Sequence, residues 1–204
     1  MKRVIQWRID KLSRLILVTG ATRSGKSSFA EGQANKLEKP VAYLATAQAL
    51  DYEMQERIKL HRMRRPCAWK TFEEPYQIEE IIAQHHMHYP IWILDCITLY
   101  VSNLLFAKLD NVEADNLVAN HIHEEILQRI EDIIRVIKST NITLFAVTNE
   151  IGWGIVPPDP ISRLYRDIIG RVNQRLAKVA DEVYIVAVGI PLKIKPSLIN
   201  ENME

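Results

Sequence analysis

Short apolar runs recur along the chain, separated by amphipathic or polar stretches of helical length. Leu15 to Val18, Val41 to Thr46, Ile91 to Cys96, Ile142 to Glu150 and Glu182 to Gly189 are dense enough in apolar residues to predict buried strands. Between them, Ser28 to Leu37, Asp51 to Arg64, Pro75 to Ala83, Thr98 to Lys108, Ala114 to Lys138 and Ile161 to Val179 read as helices. Ile126, Ile130, Ile133, Ile134 and Ile137 fall on one stripe of the longest of these. Met54, Ile58 and Leu60 instead sit among charges, the pattern of a mostly exposed helix that Pro66 stops. Trp69 to Phe72 predicts a short strand, and Leu192 to Lys195 a short edge strand. Apolar strands alternating with helices predict an α/β fold with a mainly parallel sheet covered by helices on both faces. Ligands of such sheets sit at the carboxyl ends of the strands.

The chain carries no internal repeat, low-complexity tract or linker rich in Gly and Ser. It is therefore expected to form a single domain over residues 15–195, with a basic extension at 1–14 and a tail at 196–204. A composition of 48% hydrophobic and 25% charged residues suits a sizeable core, and a net charge of +1 argues against bulk binding to nucleic acid or anionic membranes. The opening MKRVIQWRIDKLSR has no apolar signal region, and no run approaches the roughly 20 residues that span a bilayer. Cys67 and Cys96 make no disulfide framework and fit a reducing compartment, so a cytoplasmic protein without stable membrane insertion is expected.

One loop changes the picture from fold to chemistry. Gly20, Ala21, Thr22, Arg23, Ser24, Gly25, Lys26 and Ser27 follow the first strand and open a helix, matching G-x-x-x-x-G-K-[ST] in the required setting. Its glycines let the backbone wrap an anion, Lys26 reaches the β and γ phosphates, and the Ser27 hydroxyl takes a place on Mg²⁺. The fold expected is accordingly of P-loop NTPase type. Asp95 ends the run IWIL as a Walker B carboxylate does, positioned to help hold Mg²⁺ beside Ser27. Thr148, Asn149 and Glu150 end another strand; Glu150 could orient water or substrate, or be a plain loop carboxylate.

The segment Glu56 to Pro75 gathers Arg57, Lys59, Arg62, Arg64 and Arg65 around His61, followed by Trp69, Glu73 and Glu74. From the residues alone it is either a solvated charged face or a phosphate-handling helix, in which a neutral imidazole acts as a nucleophile at phosphorus. His85, His86 and His88 lack Cys or carboxylate partners at ligand spacing and read as a solvated loop, and His121 and His123 as surface positions on a long helix. Arg163, Arg166, Asp167, Gly170 and Gln174 share a helix face after a loop of Gly152, Gly154, Pro157, Pro158 and Pro160. That face could meet ligand, another subunit or solvent.

GATRSGKS, AYLATAQALDYEM, RIKLHRMRRPCAWKTFEEP, LDCITLYVSNLLF, VTNEIGWGIVP, RLYRDIIGRVNQRLAKVADEVY and GIPLKIK appear in this order. Together they resemble the bifunctional adenosylcobinamide kinase / adenosylcobinamide-phosphate guanylyltransferase family of cobalamin biosynthesis, over about Leu15 to Lys195. The resemblance implies phosphorylation of adenosylcobinamide by ATP or GTP. It then implies GMP transfer from GTP through a guanylylated histidine to give adenosylcobinamide-GDP. That histidine falls on His61, where Leu60 precedes it in place of a second histidine found in some relatives. Nucleotide contacts are implied at Gly20 to Ser27, Ala45, Thr46, Ala47, Arg62, Met63, Arg64, Arg65, Glu73 and Asp95, with Mg²⁺ at Ser27 and Asp95. Ala21 departs from a glycine common in relatives, which a negative φ would tolerate. A homo-oligomer is implied as well, of trimeric form. Other readings of the residues are a P-loop kinase of a different small alcohol and a nucleotide-switched assembly module.

Overall fold

In a computed structural model, residues 13–109 and 116–196 are described. The expected extension and tail lie almost wholly outside them, as does the start of the helix expected from Ala114. The elements run β1 (Arg14–Thr19), α1 (Lys26–Asn35), β2 (Val41–Ala45), α2 (Tyr52–Arg64), β3 (Lys70–Glu73), α3 (Ile78–His85) and β4 (Ile91–Asp95). They continue with α4 (Ile97–Leu109), α5 (Asn116–Ser139), β5 (Thr143–Val147), α6 (Pro160–Val179), β6 (Glu182–Ala187) and β7 (Ile190–Lys195).

The strands form one seven-stranded sheet in the order β3-β2-β4-β5-β1-β6-β7. Every pairing is parallel except that of β7, which returns antiparallel along the β6 edge. Successive side chains of a strand point to opposite faces, and both faces are buried here. Leu15, Leu17, Leu44, Trp92, Leu94 and Leu144 pack under α3, α4, α5 and α6. Ile16, Val18, Tyr43, Ile93, Phe145 and Val147 pack on the other side, with Ala30 and Ala34 of α1. The isoleucine stripe of α5 is buried, each side chain contributing roughly 1.5–3 kcal/mol. By contrast Leu60 and Met63 of α2 stay exposed, as the charges around them predict.

Helix starts are set by local chemistry. Asp51 caps α2 by accepting from Met54 N at 2.7 Å, and Asp159 caps α6 by accepting from Ser162 N at 2.7 Å, with Pro160 in the first turn. The first helix begins at Lys26 rather than Ser28, because the lysine and first serine of the phosphate-binding motif already have helical backbone. Strand β5 ends at Val147 rather than Glu150, although Thr148 N still donates to Val18 O at 3.0 Å.

Two histidine expectations are overturned. His123 is only 8% exposed, because it lies on the inward side of α5 next to Ile122. His85 is not in a solvated loop: it closes α3 and stacks on Phe72, with ring centroids 4.6 Å apart. His121 is exposed as expected and pairs with Glu125. No helix among the described residues is long and apolar enough to cross a membrane.

Candidate nucleotide and transfer site

The register aligns Glu73, Ala45, Asp95, Val147, Val18 and Tyr184 as one row across neighbouring strands. The loops that leave these strands therefore share the carboxyl edge of the sheet, where parallel sheets bind ligands. The phosphate-binding loop, the Asp95 turn, the Thr148–Glu150 turn and the connection into α2 all lie on that edge.

The loop after β1 needs its glycines for two distinct reasons. Gly20 has φ 147°, and a Cβ there would stand 2.3 Å from Val186 O, so the backbone of β6 excludes any side chain. Gly25 has φ 97° and precedes α1, which carries no side-chain cap. A helix N-terminus of this kind presents N–H groups and partial positive charge to an anion. The β6–β7 turn braces the loop from below, with Gly189 N donating to Ser24 O at 2.9 Å. Lys26 is buried and its Nζ donates to Ala21 O at 2.6 Å. Thr19 Oγ1 and Ser24 Oγ are buried polar atoms without a hydrogen-bond partner, and buried polar groups are ordinarily paired. Two unpaired hydroxyls beside a bare, electropositive helix terminus are free donors for an anionic oxygen.

Asp95 is partly exposed at the end of β4, and its Oδ2 accepts from the Tyr43 hydroxyl at 2.5 Å. Burial, and secondly the Asp95 charge, hold the Tyr43 phenol far above its ordinary pKa, so it remains a donor. The adjacent Cys96 thiol is pushed up to about 12, by burial first and then by Asp95, and stays protonated. An oxygen set of Ser27 and Asp95 suits Mg²⁺, which prefers hard ligands and one or two carboxylates. Among the described residues no group of His, Cys, Asp or Glu side chains gathers as an all-protein metal centre.

The residues expected to contact nucleotide fall into two groups. The phosphate-binding loop stands at β1 and Asp95 at β4, one strand removed. Ala47, Arg62, Met63 and Glu73 line a separate groove of about 340 Å³ beside α2, together with Gln55 and Lys59. Three strand spacings, about 14 Å, separate β1 from β2 at the base of that groove. His61 is half-buried on α2. Arg62 pairs with Glu73 through Nε and Nη2, both side chains about half exposed. Arg65 lies with its guanidinium carbon 3.5 Å from the centre of the Tyr43 ring. Thr46 is fully buried, and its hydroxyl donates to Cys96 O at 2.8 Å and accepts from Cys96 N at 2.9 Å. That side chain holds β2 to β4 and faces no groove. The side chain of Arg64 lies outside the described residues.

Two further residues that shape the edge, Asn103 and Thr98, were not singled out from the sequence. Asn103 Nδ2 donates to Thr46 O at 2.8 Å and to Pro75 O at 3.2 Å, tying the turns after β2 and β3 to α4. Thr98 Oγ1 accepts from Asn149 N at 2.7 Å, and Thr148 Oγ1 donates to Asn173 Oδ1 at 2.7 Å. An asparagine inside the apolar run of α4 was the available signal. The role of Thr98 had none. Glu150 N donates to Gly20 O at 3.0 Å, which locks the β5 turn to the phosphate-binding loop.

Comparison with known sequences agrees with the motifs. The family described as cobinamide kinase / cobinamide phosphate guanyltransferase matches residues 16–194. The bifunctional adenosylcobalamin biosynthesis protein CobU of Escherichia coli K12 is 40% identical over 181 residues, covering 89% of this chain and 99% of that protein. Its namesake from Salmonella typhimurium LT2 is 41% identical over 181 residues, with the same coverage. The bifunctional adenosylcobalamin biosynthesis protein CobP of Pseudomonas aeruginosa PAO1 is 34% identical over 179 residues, covering 88% of this chain and 96% of that one. A match spanning the sheet from β1 to β7, with relatives at this identity over nearly their whole length, places the chain in the cobinamide kinase / cobinamide phosphate guanyltransferase family.

Proposed function

We propose that this chain phosphorylates the hydroxyl of the aminopropanol arm of adenosylcobinamide with ATP or GTP, and then transfers GMP from GTP to the product through His61. In the first reaction the substrate hydroxyl oxygen bonds to the γ phosphorus as the bond to the β-phosphate oxygen breaks; ADP or GDP leaves and the hydroxyl proton passes to water. Lys26 turns from Ala21 O to the β and γ phosphates, and the loop amides and α1 terminus hold the anion. Ser27 and Asp95 would hold Mg²⁺, which supplies positive charge against the phosphates.

In the second reaction a ring nitrogen of His61 bonds to the α phosphorus of GTP as the bond to pyrophosphate breaks. An oxygen of cobinamide phosphate then bonds to the same phosphorus, and the phosphorus–nitrogen bond breaks. The products are adenosylcobinamide-GDP and a restored imidazole. Arg62 and Arg65 offset the phosphate charge. The Arg62–Glu73 pair is exposed enough to be weak, so Arg62 exchanges Glu73 for a phosphate at small cost. Ala45, Ala47, Met63, Arg64 and Glu73 would bound the nucleotide, with Thr46 contributing backbone alone.

The observation that carries this reading is the half-exposed His61 between flanking arginines on a helix rooted at the same sheet edge as the phosphate-binding loop. The test is incubation with GTP labelled at the α phosphate. Label that survives alkali, is lost in acid and maps to His61 is expected, with His61→Ala losing it while still phosphorylating cobinamide. GTP binding without covalent label overturns the transferase assignment. The protein is further proposed to work in the cytoplasm as a homo-oligomer of trimeric form. The exposed apolar edge strand β7, with Ile190, Leu192 and Ile194, supports an interface between copies. Light scattering tests this, and a monomer overturns it.

A further inference from the structure

The loop that leaves β5 presents three large apolar side chains to solvent: Trp153 is 74% exposed, Ile155 96% and Val156 62%. Apolar groups clustered on a loop beside a binding site mark a recognition surface rather than chance exposure. This loop is held in place. Arg166 Nη2 donates to Gly152 O at 2.9 Å and Nη1 to Gly154 O at 3.3 Å, while Arg163 Nη1 donates to Pro157 O at 3.0 Å and also to Pro158 O. Both guanidiniums thus bond the loop backbone from α6. The turn is also continuous with the phosphate-binding loop, since Glu150 N donates to Gly20 O and Glu150 Oε1 accepts from Gly152 N at 3.2 Å.

Gly154 supplies a second, independent observation. Its φ lies outside the left-handed region, and a Cβ built on it would meet nothing within 4 Å. Neither backbone conformation nor internal packing requires a glycine there. A side chain at this position would project into open space between Trp153 and Ile155.

We infer that Trp153, Gly154, Ile155 and Val156 form the platform on which the apolar face of the corrinoid macrocycle docks, so that its hydroxylated arm reaches the phosphate-binding loop. This rests on the reading of the chain as a cobinamide kinase. The ring of the ligand is broad and flat with polar amide groups at its rim, and a rigid apolar shelf complements the ring face alone. The shelf begins three residues after Glu150, whose N–H donates to Gly20 O of the phosphate-binding loop. Pinning by Arg163 and Arg166 removes the ordering cost that a slack loop would carry on binding.

Two variants of the full-length protein test the platform: Trp153→Ala/Ile155→Ala, which removes apolar surface, and Gly154→Leu, which fills the open space. Equilibrium binding of adenosylcobinamide is measured alongside its KM, the KM of the donor nucleotide and covalent GMP incorporation from GTP. Each variant is expected to weaken cobinamide binding and raise its KM at least tenfold, about 1.4 kcal/mol. Nucleotide KM and covalent labelling are expected to stay within twofold. Cobinamide affinity within twofold of the parent in both variants overturns the platform, as does a parallel rise in nucleotide KM. If the parent protein binds cobinamide but does not phosphorylate it, the kinase reading fails and the affinity changes still decide the platform. If the parent does not bind cobinamide, both fail.

Discussion

The hydroxyl of Tyr43, buried in the middle of β2, donates to Asp95 Oδ2 at the end of β4 across a 2.5 Å hydrogen bond. The same ring carries the Arg65 guanidinium on its face, so one tyrosine links the strand-end carboxylate to the helix of His61. Cation–π contact and hydrogen bond together hold two otherwise mobile charged groups against one rigid side chain. Because burial and the Asp95 charge keep the phenol protonated, this donor persists across the working pH range.

Tyr43→Phe removes the hydroxyl while keeping the ring on which Arg65 rests. Partners that orient a metal-binding carboxylate are typically worth tenfold or more in activity. Cobinamide phosphorylation is expected to fall about tenfold, with a stability loss of about 1 kcal/mol from the missing hydrogen bond. Steady-state kinetics and thermal melts check both, and an unchanged kcat refutes an orienting role for Tyr43.

Lys26→Ala asks whether one phosphate-binding loop serves both reactions. Strand β2, at the base of the groove beside α2, lies three strand spacings, about 14 Å, from β1, far enough for the two sites to be separate. Our expectation is loss of both activities with the fold intact, the loop binding the nucleotide in each cycle. A variant that still incorporates GMP from labelled GTP would show that the groove beside α2 works alone.

Gly20→Ala tests the loop without any ligand. The added Cβ would lie 2.3 Å from Val186 O, at a φ of 147°. Strain and steric displacement of β6 together are expected to cost about 3 kcal/mol. In a chain of this size that corresponds to a melting temperature lower by about 6–12 °C. A melting temperature within 2 °C or so of the parent would mean that β6 yields easily.

His123 makes stability depend on pH. Burial first, and the nearby Arg171 second, hold its pKa below the ordinary 6.5, against smaller opposing effects of Asp167 and Glu124. A depressed folded-state pKa stabilises the fold above the unfolded value, and that contribution is lost as pH falls from 6.5 through the folded value. His123→Gln is therefore expected to flatten the decline in melting temperature below pH 6.5. An identical decline in parent and variant assigns the acid sensitivity to other groups.

Local pattern was enough for the strands, the helices, the phosphate-binding loop, the exposed charge of α2 and the edge strand β7, because each depends on neighbours in sequence: periodicity, glycine spacing, a run of β-branched residues. The motifs also sufficed to assign the family. Strand order was different. It brings Asp95 to two spacings from β1 but leaves β2 and the root of α2 three spacings away, and no stretch of sequence encodes that separation. The same holds for His123, whose burial is fixed by the helices packed around α5, and for Gly20, which faces a carbonyl 166 positions later in a chain of 204. Arg163 and Arg166 had looked like residues of an open helix face, yet they spend their guanidiniums on loop carbonyls. A side chain's spacing fixes the face from which it leaves a helix, whereas its partner depends on which distant backbone the folded sheet delivers to that face.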